Sequence, residues 1–275
     1  MRIIPRLDIK GDKLVKGVQL EGLRVLGSPE EFAEKYYQDG ADELIYIDCV
    51  ASLYGRKSIK KFILKTAKNI FIPLCVGGGI RSINDIENIL QNGADKVAIN
   101  TAAVNNPSLI NKATRIFGSS TIVISIQAVL KDKEYFCYID NGREPTKKKV
   151  LDWSKEIEDR GAGEILITNV NKDGTGEGLD LNLIKNIHNN TKIPIIASGG
   201  VGSPKDVLNL YKETKIEGIA ISSMFHYHFF KNKKSLHQKS FRKYDDILLN
   251  KNFELLSIKE LKNYLIKNNI NIRSI

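Results

Sequence analysis

Asp8 and Gln127 are the residues of this sequence whose positions most favour acid–base chemistry. Asp8 lies near the end of an apolar run at the start of the chain, and Gln127 ends a similar run about 120 residues later. A carboxylate can accept or deliver a proton near neutral pH, whereas an amide can only form hydrogen bonds. The sequence therefore predicts proton transfer at Asp8, with Gln127 as a degenerate catalytic position.

Asp173, Asp48 and Arg6 are further polar candidates. Asp173 follows a later apolar run and is a third candidate catalytic carboxylate. Asp48 ends another run, where a substrate contact and a structural role are equally good interpretations. Arg6 lies two residues before Asp8, so strand alternation places both side chains on one face. We expect its guanidinium to pair with Asp8 or another acid, or to reach the substrate as an anion binder.

Two glycine pairs, one in each half of the chain, are suited to bind phosphate. Glycine lets backbone N–H groups approach an anion closely, and a helix that follows adds its positive end. Further along the chain, each glycine pair is followed by two adjacent residues with small hydroxyl or amide side chains. Two such cradles predict a ligand with a phosphate at each end. The candidate phosphate-binding residues are Gly78, Gly79, Asn100 and Thr101 in the first half, and Gly199, Gly200, Ser222 and Ser223 in the second.

The two halves are versions of one another, and this repeat indicates how the site is positioned. Eight short apolar runs alternate with amphipathic stretches, which is typical of parallel strands with crossover helices. Eight such units close a (β/α)₈ barrel with a two-fold half-barrel repeat, whereas a doubly wound open sheet leaves the repeat unexplained. The predicted strands are residues 3–9, 43–50, 72–76, 96–100, 121–127, 164–168, 193–198 and 218–222.

In a barrel of this kind, the loops at the carboxyl ends of the strands form the active site. The candidate residues named above fall at those ends. A hairpin-like excursion is expected at residues 131–141, and Ser28, Ser82 and Ser203 are expected to cap helices. The 275 residues suit one domain, residues 1–275.

Composition limits the alternatives. The net charge of +10 comes from lysines spread along the chain, so we expect no nucleic-acid partner. No apolar run reaches the roughly 20 residues of a membrane span, and the first residues lack a signal peptide, which predicts a cytoplasmic protein without membrane insertion. Three cysteines form no metal-binding or disulfide pattern, and no metal or cofactor is predicted.

Long ordered motifs make the chain resemble the cyclase subunit of imidazole glycerol phosphate synthase, the HisF family. The resemblance runs from residue 2 to about residue 225 and resumes at residues 258–273. It implies that Lys16 contacts the substrate. The motifs are residues 3–10, 14–17, 77–80, 93–97, 99–102, 160–166, 173–175 and 196–200.

The resemblance also implies a partner and a reaction. A glutaminase docks at the N-terminal face and supplies ammonia through a gate of alternating charges, matched here by Arg2, Glu43, Lys96 and Glu164. Ammonia then reacts at the other mouth with a bisphosphorylated ribulosyl aminoimidazole carboxamide nucleotide. The products are imidazole glycerol phosphate and an aminoimidazole carboxamide ribotide.

Three departures from the family pattern stand out. Gln127 replaces the second carboxylate, and Arg6 replaces a small residue. Residues 227–256 form an insertion before the last helix, interpreted as a lid, a docking surface or an excursion without function. His226, His228 and His237 have no recognisable metal-ligand spacing.

These departures lead to three hypotheses. The first is a HisF-like paralogue that supplies ammonia to a sugar amidotransferase in surface-polysaccharide biosynthesis. The second is a working cyclase of histidine biosynthesis, and the third is an inert sensor of phosphate ligands. From the sequence alone, the first ranks ahead of the second.

Overall fold

A closed barrel of eight parallel strands forms the centre of the computed structural model, which describes residues 1–51, 59–234 and 252–274. The barrel closes where Arg2 on the first strand pairs with Gly218 on the last. Four further strands form hairpins, so the barrel strands are not numbered consecutively. They are β1 (Arg2–Lys10), β4 (Leu44–Asp48), β5 (Leu74–Gly77), β6 (Lys96–Ile99), β7 (Ile122–Lys131), β10 (Glu164–Asn169), β11 (Ile195–Ser198) and β12 (Gly218–Ile221).

Helices follow the barrel strands and cover them from outside. Their apolar faces bury residues such as Phe32, Ile86 and Trp153 against the strands. This confirms the predicted (β/α)₈ barrel. The helices are α1 (Pro29–Gln38), α2 (Ile59–Asn69), α3 (Ile83–Gln91), α4 (Thr101–Asn105), α5 (Ser108–Phe117), α6 (Val150–Asp159), α7 (Leu181–His188), α8 (Pro204–Thr214), α9 (Ser223–Lys234) and α10 (Ile258–Lys267).

The two halves repeat each other at the turns that start α3 and α8. Ser82 and Asp85 form a reciprocal capping box, and Ser203 and Asp206 form the same box in the second half. Each box satisfies backbone N–H groups that the first turn of a helix leaves without partners. Ser28 is also the N-cap of α1, but its hydroxyl bonds to Glu30 rather than to the helix backbone.

One ring of apolar side chains fills the middle of the barrel. Each of the eight barrel strands contributes one buried residue to it, as expected where every second side chain points inward. The ring separates the N-terminal mouth from the C-terminal mouth. Its members are Ile4, Ile45, Cys75, Ala98, Val123, Leu166, Ile196 and Ala220.

Two antiparallel hairpins extend the C-terminal mouth. Strands β2 (Lys13–Val18) and β3 (Glu21–Gly27) continue from β1, and β8 (Glu134–Ile139) and β9 (Glu144–Lys149) continue from β7. The hairpin tips meet where Asn141 Nδ2 donates to the Leu20 carbonyl oxygen, at 3.3 Å. The excursion predicted at 131–141 is therefore the first part of a hairpin, whereas the β2–β3 hairpin was not predicted.

The predicted insertion at 227–256 lies partly outside the described residues. Its first residues continue α9 without a break, and residues 252–256 return to the barrel. There Glu254 N donates to the Gly202 carbonyl oxygen at 2.7 Å, and Phe253 packs edge-on against Tyr227. Within the described part of the chain, no helix is long and apolar enough to span a membrane.

Candidate active site

Arg6 and Asp8 form a buried ion pair inside the C-terminal half of the barrel. Arg6 Nε donates to Asp8 Oδ1 at 3.0 Å, and both side chains are about 5% exposed or less. Arg6 Nη1 also donates to Thr168 Oγ1 at 3.0 Å and to Ser198 Oγ at 3.4 Å. Burial opposes the charge of Arg6, but Asp8 and then Asp173 outweigh it and raise the pKa of the guanidinium. The pairing expected from strand alternation is therefore present.

Lys16 and Asp173 form a second buried ion pair beside the first. Lys16 Nζ lies 2.9 Å from Asp173 Oδ1 and 2.7 Å from Oδ2, so the ammonium group engages both carboxylate oxygens. Burial disfavours the lysine charge, but Asp173 and then Asp8 raise its pKa overall. Asp173 is thus held by a cation. Its predicted role as a substitute acid or base requires that contact to open or to be shared.

Gln127 is tied to its surroundings through its side-chain oxygen. Gln127 Oε1 accepts from Asn100 Nδ2 at 2.9 Å and from the backbone N of Gly142 at 2.7 Å. Asn100 Nδ2 donates in addition to the Tyr138 carbonyl oxygen at 3.2 Å. Residues 127 and 138 pair across β7 and β8, so the hairpin brings these groups together.

The first glycine cradle opens on a cavity of about 310 Å³. Gly78 has a φ of +100°, and a Cβ there would lie 2.2 Å from the Asp48 carbonyl oxygen, so only glycine fits. Asp48 Oδ1 accepts from Val50 N at 3.1 Å, which gives this carboxylate a structural role at the cavity edge. The candidate residues Gly78, Gly79, Asn100, Thr101, Asp48 and Gln127 all line this cavity.

The second glycine cradle is covered by neighbouring backbone. Gly200 has a φ of +107°, and a Cβ there would lie 2.2 Å from the Gly178 carbonyl oxygen. Gly178 N in turn donates to the Gly200 carbonyl oxygen at 2.8 Å. Ser222 Oγ donates to the Arg6 carbonyl oxygen at 2.8 Å, and Ser223 is buried. Close backbone approach explains both glycine pairs, so phosphate binding stays a prediction.

Four charged residues meet at the N-terminal mouth. Arg2 contacts both Glu43 and Glu164, and Lys96 contacts the same two acids at 3.2 and 3.0 Å. Burial raises the pKa of Glu43, an effect that Lys96 and Arg2 partly offset. The four side chains therefore form the ring of alternating charges expected at the strand starts. Its role as an ammonia gate remains a prediction.

Some residues around the site were not predicted. Thr168 and Ser198 bind Arg6, and inward alternation on their strands is the signal that points to them. Asp140 Oδ1 accepts from Thr101 Oγ1 at 3.3 Å, and Gly142 contacts Gln127. No local pattern reveals these contacts, because they depend on the path of the β8–β9 turn.

The histidines do not gather into a metal site within the described residues, which hold no cluster of three or more potential ligands. His226 is buried, with Nδ1 2.5 Å from the hydroxyl of Tyr36. His228 Nε2 lies 3.0 Å from Asn232 Nδ2. His237 lies outside the described residues.

Sequence comparisons identify the family to which this barrel belongs. A family model described as "Histidine biosynthesis protein" matches residues 2–231, which include every barrel strand. The chain belongs to the histidine biosynthesis protein family. This membership agrees with the resemblance found in the motifs.

Several relatives carry the name "Imidazole glycerol phosphate synthase subunit HisF". The Natranaerobius thermophilus protein is 40% identical over 272 residues, covering 99% of this chain and 98% of that protein. The Legionella pneumophila protein is 54% identical over 203 residues, covering 74% of this chain and 96% of that protein. The Bacillus cereus protein is 45% identical over 228 residues, covering 82% of this chain and 90% of that protein. All three carry the name of the imidazole glycerol phosphate synthase subunit, so the comparisons favour the second hypothesis over the first.

Proposed function

We propose that this member of the histidine biosynthesis protein family is a HisF-type cyclase subunit of imidazole glycerol phosphate synthase. The observation that carries the proposal is the name shared by its relatives, one of which aligns along 99% of the chain. In the proposed reaction, ammonia and the bisphosphorylated ribulosyl nucleotide give imidazole glycerol phosphate and an aminoimidazole carboxamide ribotide. This reverses the order in which the sequence alone ranked the hypotheses.

Two layers of side chains lie on the route proposed for ammonia from one mouth of the barrel to the other. The charged ring of Arg2, Glu43, Lys96 and Glu164 lies at the N-terminal mouth, where a HisH-type glutaminase is proposed to dock. Beyond it lies the ring of eight apolar residues. An apolar wall offers ammonium no replacement for its hydration, so this layer favours the neutral molecule.

Asp8 is the proposed proton-transfer residue. Its Oδ1 is occupied by Arg6, while Oδ2 forms no hydrogen bond with any described residue. Gln127 offers no carboxylate, so Asp8 acts without the second acid of the family pattern. The Arg6 contact holds the Asp8 side chain in one orientation, which favours a defined direction of proton transfer.

The proposal is tested by turnover with free ammonia. The purified protein is given the bisphosphorylated nucleotide and excess ammonium at alkaline pH, and loss of substrate absorbance is followed. Turnover is expected for the wild type, with a fall of about 10²- to 10⁴-fold for Asp8→Asn. Asp132→Asn is the matched control, because Asp132 is exposed in the turn between β7 and β8, and it should retain wild-type turnover.

Two outcomes contradict the proposal in different ways. Undiminished turnover by Asp8→Asn shows that another group transfers the proton. No turnover by a folded wild-type protein that binds the nucleotide rules out the cyclase and favours ammonia supply to another enzyme, such as a sugar amidotransferase.

A further inference from the structure

Gln127 and Asn100 form a pair of side-chain amides in the wall of the first-half cavity. Gln127 is 7% exposed, and both residues line the cavity beside the Gly78–Gly79 cradle. A single hydrogen bond, from Asn100 Nδ2 to Gln127 Oε1, joins them at 2.9 Å. The two amides therefore act as one polar unit facing the ligand space.

Backbone groups determine the orientation of both amides. The N–H of Gly142 can only donate, so the Gln127 atom that meets it at 2.7 Å is the oxygen. The carbonyl of Tyr138 can only accept, so the Asn100 atom that meets it at 3.2 Å is the nitrogen. Rotating either amide by half a turn would bring two donors or two acceptors together in a buried place, which is unfavourable.

These orientations decide what each amide offers to the cavity. Both hydrogens of Asn100 Nδ2 are used, by Gln127 and Tyr138, which leaves Asn100 Oδ1 as an acceptor. Gln127 Oε1 already accepts two hydrogen bonds, while its Nε2 has no partner among the described residues. Gln127 therefore has hydrogen-bond donors available at the cavity wall.

We propose that Gln127 determines substrate specificity by donating, through Nε2, to an oxygen acceptor of the substrate. This inference rests on the proposed function, which supplies the ligand. That nucleotide carries acceptor oxygens of two kinds, carbonyl and phosphate. In this role Gln127 supplies donors, where an ionised carboxylate at position 127 would turn lone pairs toward the same oxygen.

Gln127→Glu is the variant that distinguishes two roles of position 127, a hydrogen-bond donor to the substrate and a degenerate catalytic base. A carboxylate at this position can still accept from Gly142 N and Asn100 Nδ2, so the local structure is preserved, but the donors are lost. We expect the nucleotide to bind about 10- to 100-fold more weakly, measured by calorimetry without ammonia so that no turnover occurs. In the ammonia assay, kcat/KM should fall mainly through a higher KM.

Gln91→Glu is the matched control, since it makes the same charge change on the exposed surface of α3. It should bind the nucleotide with wild-type affinity. Titration with inorganic phosphate distinguishes the two kinds of oxygen. A loss of phosphate affinity in Gln127→Glu assigns the contact to a phosphate oxygen, and a loss confined to the nucleotide assigns it to a carbonyl oxygen.

The side-chain amide resonances of Gln127 provide a second measurement on the wild-type protein. They are assigned by their absence from the Gln127→Glu spectrum and should shift when a ligand binds. Unchanged resonances with both nucleotide and phosphate overturn the proposal, as does a Gln127→Glu variant that binds as tightly or turns over faster. Binding is measured without ammonia and does not depend on turnover. A failed cyclase assay would therefore contradict the proposed function, while the binding measurements would still test the role of Gln127.

Discussion

Strand β1 carries two arginines inside the barrel, and their surroundings differ. Arg2, at the N-terminal mouth, has a side chain 29% exposed and contacts two acids, Glu43 and Glu164. Arg6, four residues later, is 4% exposed and contacts one acid, Asp8, together with two hydroxyl groups. The same residue type on the same strand therefore belongs to two different charge arrangements.

The difference lies in connectivity rather than in the number of charges. At the N-terminal mouth, each of two cations contacts each of two acids, which closes a ring. At the C-terminal end, Arg6 pairs with Asp8 and Lys16 pairs with Asp173, so two cations and two acids form separate pairs. Loss of one ring member leaves each of the others with a direct ion-pair partner, whereas loss of one paired member leaves a buried charge without one.

Removal of Arg6 is expected to give the largest change in stability. Arg6→Met should lower the free energy of unfolding by about 3–5 kcal/mol, because the buried Asp8 loses its direct ion-pair partner. Arg2→Met is the matched change at the other end. It should cost only ~1–2 kcal/mol, because Lys96 still contacts both acids and Arg2 is partly exposed. Urea unfolding of both variants measures the two costs.

A double variant identifies the source of the Arg6 effect. In Arg6→Met/Asp8→Asn the carboxylate charge is also removed, so part of the lost stability should return. Equal costs for Arg6→Met and Arg2→Met would show that connectivity does not distinguish the two ends. No recovery in the double variant would instead assign the cost to the lost contacts with Thr168 and Ser198.

Acid sensitivity should also distinguish the C-terminal end. His226 is buried against this end, and burial, with smaller effects from Lys16 and Arg6, lowers its pKa from 6.5 to about 3. In the unfolded chain the His226 imidazole binds a proton near pH 6.5, whereas in the folded chain it does so only near pH 3. His226 therefore contributes full stability above pH 6.5 and loses about 1.4 kcal/mol per pH unit below it, or about 2 kcal/mol at pH 5.

The test is the change in unfolding free energy between pH 7 and pH 5. His226→Gln, which can still bond to the Tyr36 hydroxyl, should lose about 2 kcal/mol less than the wild type over this range. Tyr36→Phe should keep the wild-type pH dependence, because burial is the main cause of the shift. An identical pH dependence in wild type and His226→Gln would assign the acid sensitivity to other groups.

The sequence predicted the parts of this barrel that depend on local patterns. Barrel strands are buried on both faces and read as continuous apolar runs, so all eight were found. The β2–β3 hairpin was missed because β3 is mostly exposed and its residues lack a strong apolar pattern. Gly78 and Gly200 lie at the predicted strand ends, where positive φ and close backbone approach demand glycine, whereas the phosphate binding expected there stays a prediction.

Side-chain contacts were predictable only where strand alternation or family motifs supplied them. Arg6 and Asp8 are two residues apart on one strand, so their pairing followed from the strand period. Lys16 and Asp173 are 157 residues apart and belong to different loops, and their pairing was not predicted. The Gln127 contacts depend on where the β8–β9 turn places Gly142 N, which no spacing in the sequence determines.

The charged ring at the N-terminal mouth should affect how well glutamine-dependent turnover keeps pace with turnover on free ammonia. The expected free-energy effect is smaller than the effects of the changes at the other end. Glu164→Lys places a third cation in the ring and removes one of the two acids that join Arg2 to Lys96. With a HisH-type glutaminase bound, we expect glutamine-dependent turnover to fall roughly tenfold relative to turnover with free ammonia. Glu177→Lys, an exposed glutamate between β10 and α7, is the matched charge reversal and should leave the ratio unchanged. If Glu164→Lys leaves the ratio unchanged while the complex still forms, the ring is a structural network, and the two ends of the barrel differ only in how they stabilise buried charge.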